Sequence, residues 1–198
     1  EKHIMNKDVT LIVFEGVESR WDQTERLFCH LKNMGAFGDA IYIQDKCNYQ
    51  QAMHWEMGRF GAYLNTSHAL ICTWDGFIAN PHLWNDEWLN YDFIGAPWPN
   101  FWNVSNRVGN TGFTLQSKRF LSMAETAEPL WRGEAGDVFL CQKMAEAFKK
   151  NGINYAPIQV AAAFSWEHYI EENLAGPDRS FGFHGWVAGK TQEYYYRF

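Results

Sequence analysis

"SHALICTWDGF", residues 67–77, decides how this chain folds. From Ala69 to Cys72 the run is apolar without alternation, as in a strand buried on both faces. It ends on one aspartate, Asp75, followed by Gly76 and then by Asn80-Pro81, a turn signal. A carboxylate at the end of such a strand is most often a turn residue. In an open parallel sheet, however, ligands gather at the carboxyl ends of the strands.

Two more strands precede this one. "DVTLIVF" (8–14) and "DAIYIQD" (39–45) are short and rich in β-branched residues. Between them, Trp21, Leu27, Phe28, Leu31 and Met34 recur at helical spacing up to Gly35. A second helix is expected over 48–65, opened by Asn48 as N-cap. Residues 1–75 thus read β-α-β-α-β, the pattern of a mostly parallel sheet flanked by helices, with Asp75 at its third strand end. Residues 76–198 are more irregular and aromatic. "VGNTGFTLQS" (108–117) reads as a glycine turn and a strand. A helix starts at Ser117, and another spans 136–152 with Asp137 in its first turn. "INYAP", "IQVAAAFS" and "FGFHGW" read as short extended or loop segments. One α/β domain over 1–198 is expected.

Composition narrows the classes. Hydrophobic residues are 46% and charged residues 20% of 198, a globular balance. Net charge is −6 and the longest basic run is Lys149-Lys150, which argues against a surface that tracks nucleic-acid phosphates. A single bound nucleotide remains compatible with it. No dinucleotide fingerprint, P-loop, zincin pattern or nucleophile elbow occurs. The four cysteines show no CxxC spacing and read as buried thiols of a reducing compartment. No apolar run is long enough for a transmembrane helix, and a cytoplasmic protein is expected, host-cytoplasmic if viral. The chain opens at Glu1 without a methionine, so further domains of a longer polypeptide are expected.

A series of motifs then falls in order: "TWDGF", "YDFIGAPWP", "VGNTGFTLQS", "GDVFLC", "INYAP", "FSWE" and "FGFHG". Over roughly residues 45–186 it resembles a bacterial and viral family of glycosyltransferase-like domains long catalogued as a domain of unknown function. That resemblance implies a GT-A-like fold, a nucleotide-binding half (1–75) fused to an acceptor-binding half (76–198). It also implies glycosyl transfer from a nucleotide-sugar, UDP-linked in the first instance, to a glycan or glycoprotein.

The resemblance also assigns roles. The family's Asp-x-Asp metal motif stands here as Thr73-Trp74-Asp75, so Asp75 alone is left as the expected ligand of Mn²⁺ or Mg²⁺, with His184 of "FGFHG" as the second metal or diphosphate contact. Asp137 is the candidate general base, although Gly136 stands where the family has another acid. Phe14, Glu15, Gly16, Arg20, Arg59, Thr73, Trp74, Asp75 and Gly112 are expected around the donor, and Asp92 and Trp98 around the acceptor. Each has a plainer alternative: a helix-dipole charge for Asp137, a structural imidazole for His184, a solvated face for Arg59, a core indole for Trp98. A non-catalytic carbohydrate-binding or inactive glycosyltransferase-like module stands as the rival, since two family acids are absent.

Overall fold

The computed structural model describes residues 6–173 and 177–185. Trp186 of the glycine–aromatic loop and the closing "YYYRF" lie outside these residues.

Strand β1 (Val9–Glu15) is buried along its whole length. It is followed by α1 (Trp21–Met34), β2 (Asp39–Gln44), α2 (Tyr49–Glu56) and β3 (His68–Cys72). β1 pairs in parallel with both β2 and β3. Its side chains alternate between two apolar layers, as the two-residue period of a strand demands. Val9, Leu11 and Val13 join Leu27 and Leu31 of α1, whereas Ile12 and Phe14 join Phe60, which follows α2. Helices therefore cover both faces, as expected for the class.

The sheet is completed from the opposite direction. β6 (Phe113–Ser117) runs antiparallel to β3, and β5 (Phe93–Ile94) antiparallel to β6, giving the order β2-β1-β3-β6-β5. Successive strands lie on opposite sides of β1, so the chain reverses its direction of travel between β1 and β3. That crevice is where open α/β sheets hold ligands. A second sheet, β4-β8-β7, is built from β4 (Gly76–Ile78), β7 (Ser165–Trp166) and β8 (Gly182–His184).

Caps follow the sequence where side chains can make them. Asn48 forms a reciprocal capping box with Gln51, and the Ser117 hydroxyl accepts from the Phe120 N–H at 3.0 Å to open α3 (Lys118–Ala127). Three helical expectations change. The helix from Asn48 stops at Glu56, because Gly58 takes a left-handed φ of 97° and the chain tightens into a 3₁₀ turn over Arg59–Tyr63. The helix expected over 136–152 is broken into α4 (Gly136–Val138), a π turn (Phe139–Lys143) and α5 (Ala145–Lys150). Two carbonyls there accept side-chain donors from elsewhere. The Tyr155 hydroxyl donates to the Leu140 carbonyl at 2.8 Å and the Asn106 amide to the Cys141 carbonyl at 2.9 Å. Finally, "IQVAAAF" is helical, α6 (Ile158–Phe164), not extended: Pro157 sits at its N-cap and the alanines favour the helix. The four cysteines are free, Cys72 and Cys141 buried as expected, Cys29 exposed.

Asp92, expected near an acceptor, is structural. Its carboxylate accepts from the Ser117 hydroxyl (2.6 Å), the Arg119 guanidinium (2.5 Å) and the Asn154 N–H (2.7 Å), tying the start of α3 to the loop before β5. Burial works against the charge, but these donors hold its carboxyl below the usual value. Trp98 is 4% exposed, with its ring over Gly109, so neither face is free for a sugar.

Asp92→Ala is expected to cost about 1–3 kcal/mol in unfolding free energy, since it strands buried donors. A lowered carboxyl pKa stabilises above the unfolded value, so the gap between variant and wild type should close as pH falls below about 4. Denaturant melts of both proteins at pH 7 and pH 3 check this.

Candidate functional site

A cavity of about 390 Å³ opens at the β1/β3 crevice, within the usual range for small-ligand sites. Phe14, Glu15, Gly16 and Arg20 after β1, Thr73, Trp74 and Asp75 after β3, and Gly112 before β6 all line it, as do Asp137 and His184. Arg59 does not. It lies on the surface beyond α2, half-exposed, 3.5 Å from Glu128.

Strand register explains how residues so distant in sequence meet. Because β6 is antiparallel to β3, Cys72 faces Phe113, and the loop entering β6 arrives at the strand end that carries Asp75. The Thr73 N–H donates to the Gly112 carbonyl at 2.8 Å and fastens the two loops. In the small sheet, Gly76 pairs with His184, so the imidazole lands beside Asp75, and the Gly185 N–H donates to the Asp75 carbonyl at 3.0 Å. β7 pairs in parallel with β8, Trp166 opposite Phe183, which delivers Glu167 to the other side of the same imidazole.

His184 is thereby held between two carboxylates. Its Nε2 is 3.3 Å from Asp75 Oδ1 and its Nδ1 is 3.2 Å from Glu167 Oε1. The Asn110 amide also approaches: its Oδ1 accepts from the Gly112 N–H, which turns Nδ2 to within 2.7 Å of Nδ1. That contact favours a neutral ring, and so does burial. Two carboxylates outweigh one neutral amide, and the pKa of His184 is raised to about 10. Reciprocally, burial pushes Asp75 and Glu167 up, but the imidazolium pulls both below their usual values. The Thr73 hydroxyl, 3.0 Å from Asp75 Oδ1, adds a donor to the same carboxylate. A Cβ on Gly112 would run into the His184 ring, so this position must lack a side chain.

Glu15 is a scaffold. Its buried carboxylate accepts from the Val17 N–H, twice from Arg20 (both 3.0 Å) and from the Thr24 hydroxyl. Arg20, clamped in this way, lies over the Trp74 ring at 4.6 Å. Asp137 stands half-buried at the start of α4, and burial raises its carboxyl pKa, with Glu167 adding to the rise.

Among the lining residues that the sequence reading did not place at the site, Asn110, Glu167 and Glu56 carry polar groups into it. Asn110 and Glu167 lie inside quoted motifs, "GNTGF" and "FSWE", but nothing local marks them as ligands to His184. Glu56 lies in α2 without any marking motif, and its Oε2 is buried without a hydrogen-bond partner. Burial, with the Asp137 charge nearby, pushes its carboxyl up to about 8.

A family profile described as "Protein of unknown function (DUF5672)" matches residues 36–184. No curated protein matches the chain. Among solved structures, it is similar to one described as a glycosyltransferase involved in the glycosylation of the major capsid of PBCV-1, with a TM-score of 0.59 and 12% identity over 96% of this chain and 99% of that one. At that identity the likeness speaks for the α/β fold.

The raised pKa of His184 stabilises the fold fully below about pH 6.5, and that contribution is lost as pH rises through about 10. In metal-free buffer, NMR titration of the ring is expected to find imidazolium throughout pH 6–8. A neutral ring at pH 7 would mean that the Asn110 amide dominates the two carboxylates.

Proposed function

The chain belongs to the DUF5672 family, and from that premise we propose that it is a glycosyltransferase of GT-A type that takes a nucleotide-sugar, UDP-linked, as donor. One observation carries this reading: a cavity of about 390 Å³ at the sheet's reversal point combines aromatic and apolar lining with a charged cluster built on Asp75 and His184. The backbone from Phe14 to Val17, with the Arg20–Trp74 pair, suits a base and ribose. The charged cluster then receives the diphosphate and sugar.

Charge decides what that cluster needs. Five carboxyl groups line the cavity (Glu15, Glu56, Asp75, Asp137, Glu167) against two cations, Arg20 and His184. Even with Glu56 protonated, a diphosphate would meet net negative charge, so a divalent cation entering with it fits the electrostatics. Among the described residues no three His, Cys, Asp or Glu side chains are arranged to hold a metal ion alone. Asp75, a hard oxygen donor, fits Mn²⁺ or Mg²⁺ whose other ligands are diphosphate and water. Such an ion would supply countercharge to the departing diphosphate. His184, 3.3 Å from Asp75, stands where it can meet the same ion or the diphosphate, and as imidazolium it donates a charge-assisted hydrogen bond to a phosphate oxygen. Asp137 takes the proton of the acceptor hydroxyl, and its raised pKa makes it the better base near neutrality.

On the acceptor side, Asp92 and Trp98 give way to exposed aromatics. Phe101 is 81% and Tyr169 62% exposed across a groove, and His168, packed on Trp102 at 5.0 Å, adjoins Glu167 of the site. Such ring faces suit sugars. The binding-only alternative has one observation in its favour, Thr73 and Gly136 standing where the family has acids.

UDP with Mn²⁺ is expected to raise the melting temperature of the wild type, and Asp75→Asn to abolish the part that depends on Mn²⁺. Asp137→Asn should leave UDP binding intact while slowing nucleotide release from the donor in the presence of acceptor by about 10²–10⁴-fold. Donor binding with no turnover in the wild type, across acceptors, would leave the binding-only reading.

A further inference from the structure

We propose that Glu56 is a specificity-determining residue for the donor sugar, its carboxyl pairing with a sugar hydroxyl at the floor of the cavity. This rests on the donor reading given above and extends it to a residue outside the recognised motifs.

The argument begins with position 136. A Cβ there would run into Glu56 Oε2, and it would also crowd Cδ at 3.0 Å and Cβ at 3.2 Å. Only a residue without a side chain lets the Glu56 carboxyl occupy this place. The Gly136 N–H donates to Met53 Sδ at 3.2 Å, so α2 is packed directly onto the start of α4. Position 136 carries no acid of its own, but an acid from α2 fills its space, next to Asp137. Two carboxyl groups thus stand together on one wall, delivered by different elements.

The second point is hydrogen-bond accounting. Buried polar atoms in native proteins are mostly paired, and an unpaired one on a cavity wall is open to a water or a ligand atom. Thr111 bonds the Glu56 side chain, but Oε2 has no partner. Burial, seconded by Asp137, pushes the carboxyl up to about 8. At neutral pH it is therefore mostly a neutral acid that both donates and accepts, as a sugar hydroxyl does. The neighbours agree. Thr111, Gly136 and Asp137 adjoin Glu56, whereas Arg20 and Trp74 pack on each other after β1 and β3. A donor whose base lies on the Arg20–Trp74 pair would bring its sugar toward Glu56.

Calorimetry tests this with UDP, UDP-glucose, UDP-galactose and UDP-N-acetylglucosamine in Mn²⁺. Glu56→Ala is expected to weaken the best UDP-sugar about tenfold or more while leaving UDP within about twofold, since only the sugar contact is removed. Gly136→Ala should reproduce that pattern by displacing the carboxyl. Glu56→Gln, of the same shape, should fold as the wild type and fall between the two. With the deoxy analogues of the best sugar, one position should lose affinity in the wild type and lose none further in Glu56→Ala. Unchanged sugar affinity in Glu56→Ala overturns the proposal, and so does equal weakening of UDP and UDP-sugar. Wild-type protein that binds no nucleotide overturns the donor reading itself, and this one with it.

Discussion

The ion pair between His184 and Asp75 is the contact on which the site depends. It joins the turn after the buried strand β3 to β8 of the small sheet, across 109 residues. A buried pair of this kind adds little net stability, because each charge surrenders its hydration. What it supplies is position. Glu167 on the far side of the ring means that removing either carboxylate leaves the imidazolium with one counterion, and removing the ring leaves two buried carboxylates facing each other. Each of the three elements is thus held to a single register by the cost of the alternatives.

The backbone around the pair is arranged to permit it. Gly112 leaves room for the imidazole, and Gly136 leaves room for Glu56. Asn110 holds a left-handed φ of 66°, a conformation asparagine tolerates better than most side chains, and its amide caps the Gly112 N–H from there. The π turn after Val138 belongs to the same pattern. Carbonyls withdrawn from the helix are taken by Tyr155 and Asn106, so the helix can begin at the cavity and still pack Phe148 into the core. Such interruptions are frequent at functional sites.

The cavity's charge is unbalanced by design of its lining. Glu15 is spent on Arg20, and Asp75 and Glu167 are spent on His184, which leaves Asp137 and Glu56 as the carboxyl groups without a cationic partner among the described residues. Burial raises the pKa of both. Groups of this kind, desolvated and set in a cleft, are the ones available to exchange protons or hydrogen bonds with a ligand.

By itself the sequence determined the half of the molecule whose contacts are local or periodic. Apolar runs at 8–14, 39–45 and 67–72 dictate a three-stranded parallel start, and Asp75 at the third strand end marks the crevice, because side-chain periodicity and strand polarity are written residue by residue. The caps at Asn48 and Ser117 are legible for the same reason. Most expected donor residues line the cavity because they follow directly on those strands. Only the tertiary structure decided the rest. Asp92 and Asp75 are both carboxylates beside apolar runs, and nothing local says that Arg119 and Ser117 saturate one while His184 leaves the other at a cavity wall. Arg59 was expected beside the donor on the helix before β3, but that helix ends at Glu56 and Gly58 turns the chain before Arg59. Nothing in the sequence singled out Glu56, and its Oε2 is enclosed by the packing of Gly136 against α2, a contact spanning eighty residues. Long-range strand register and helix packing set these outcomes, and neither has a signature within a single segment of sequence.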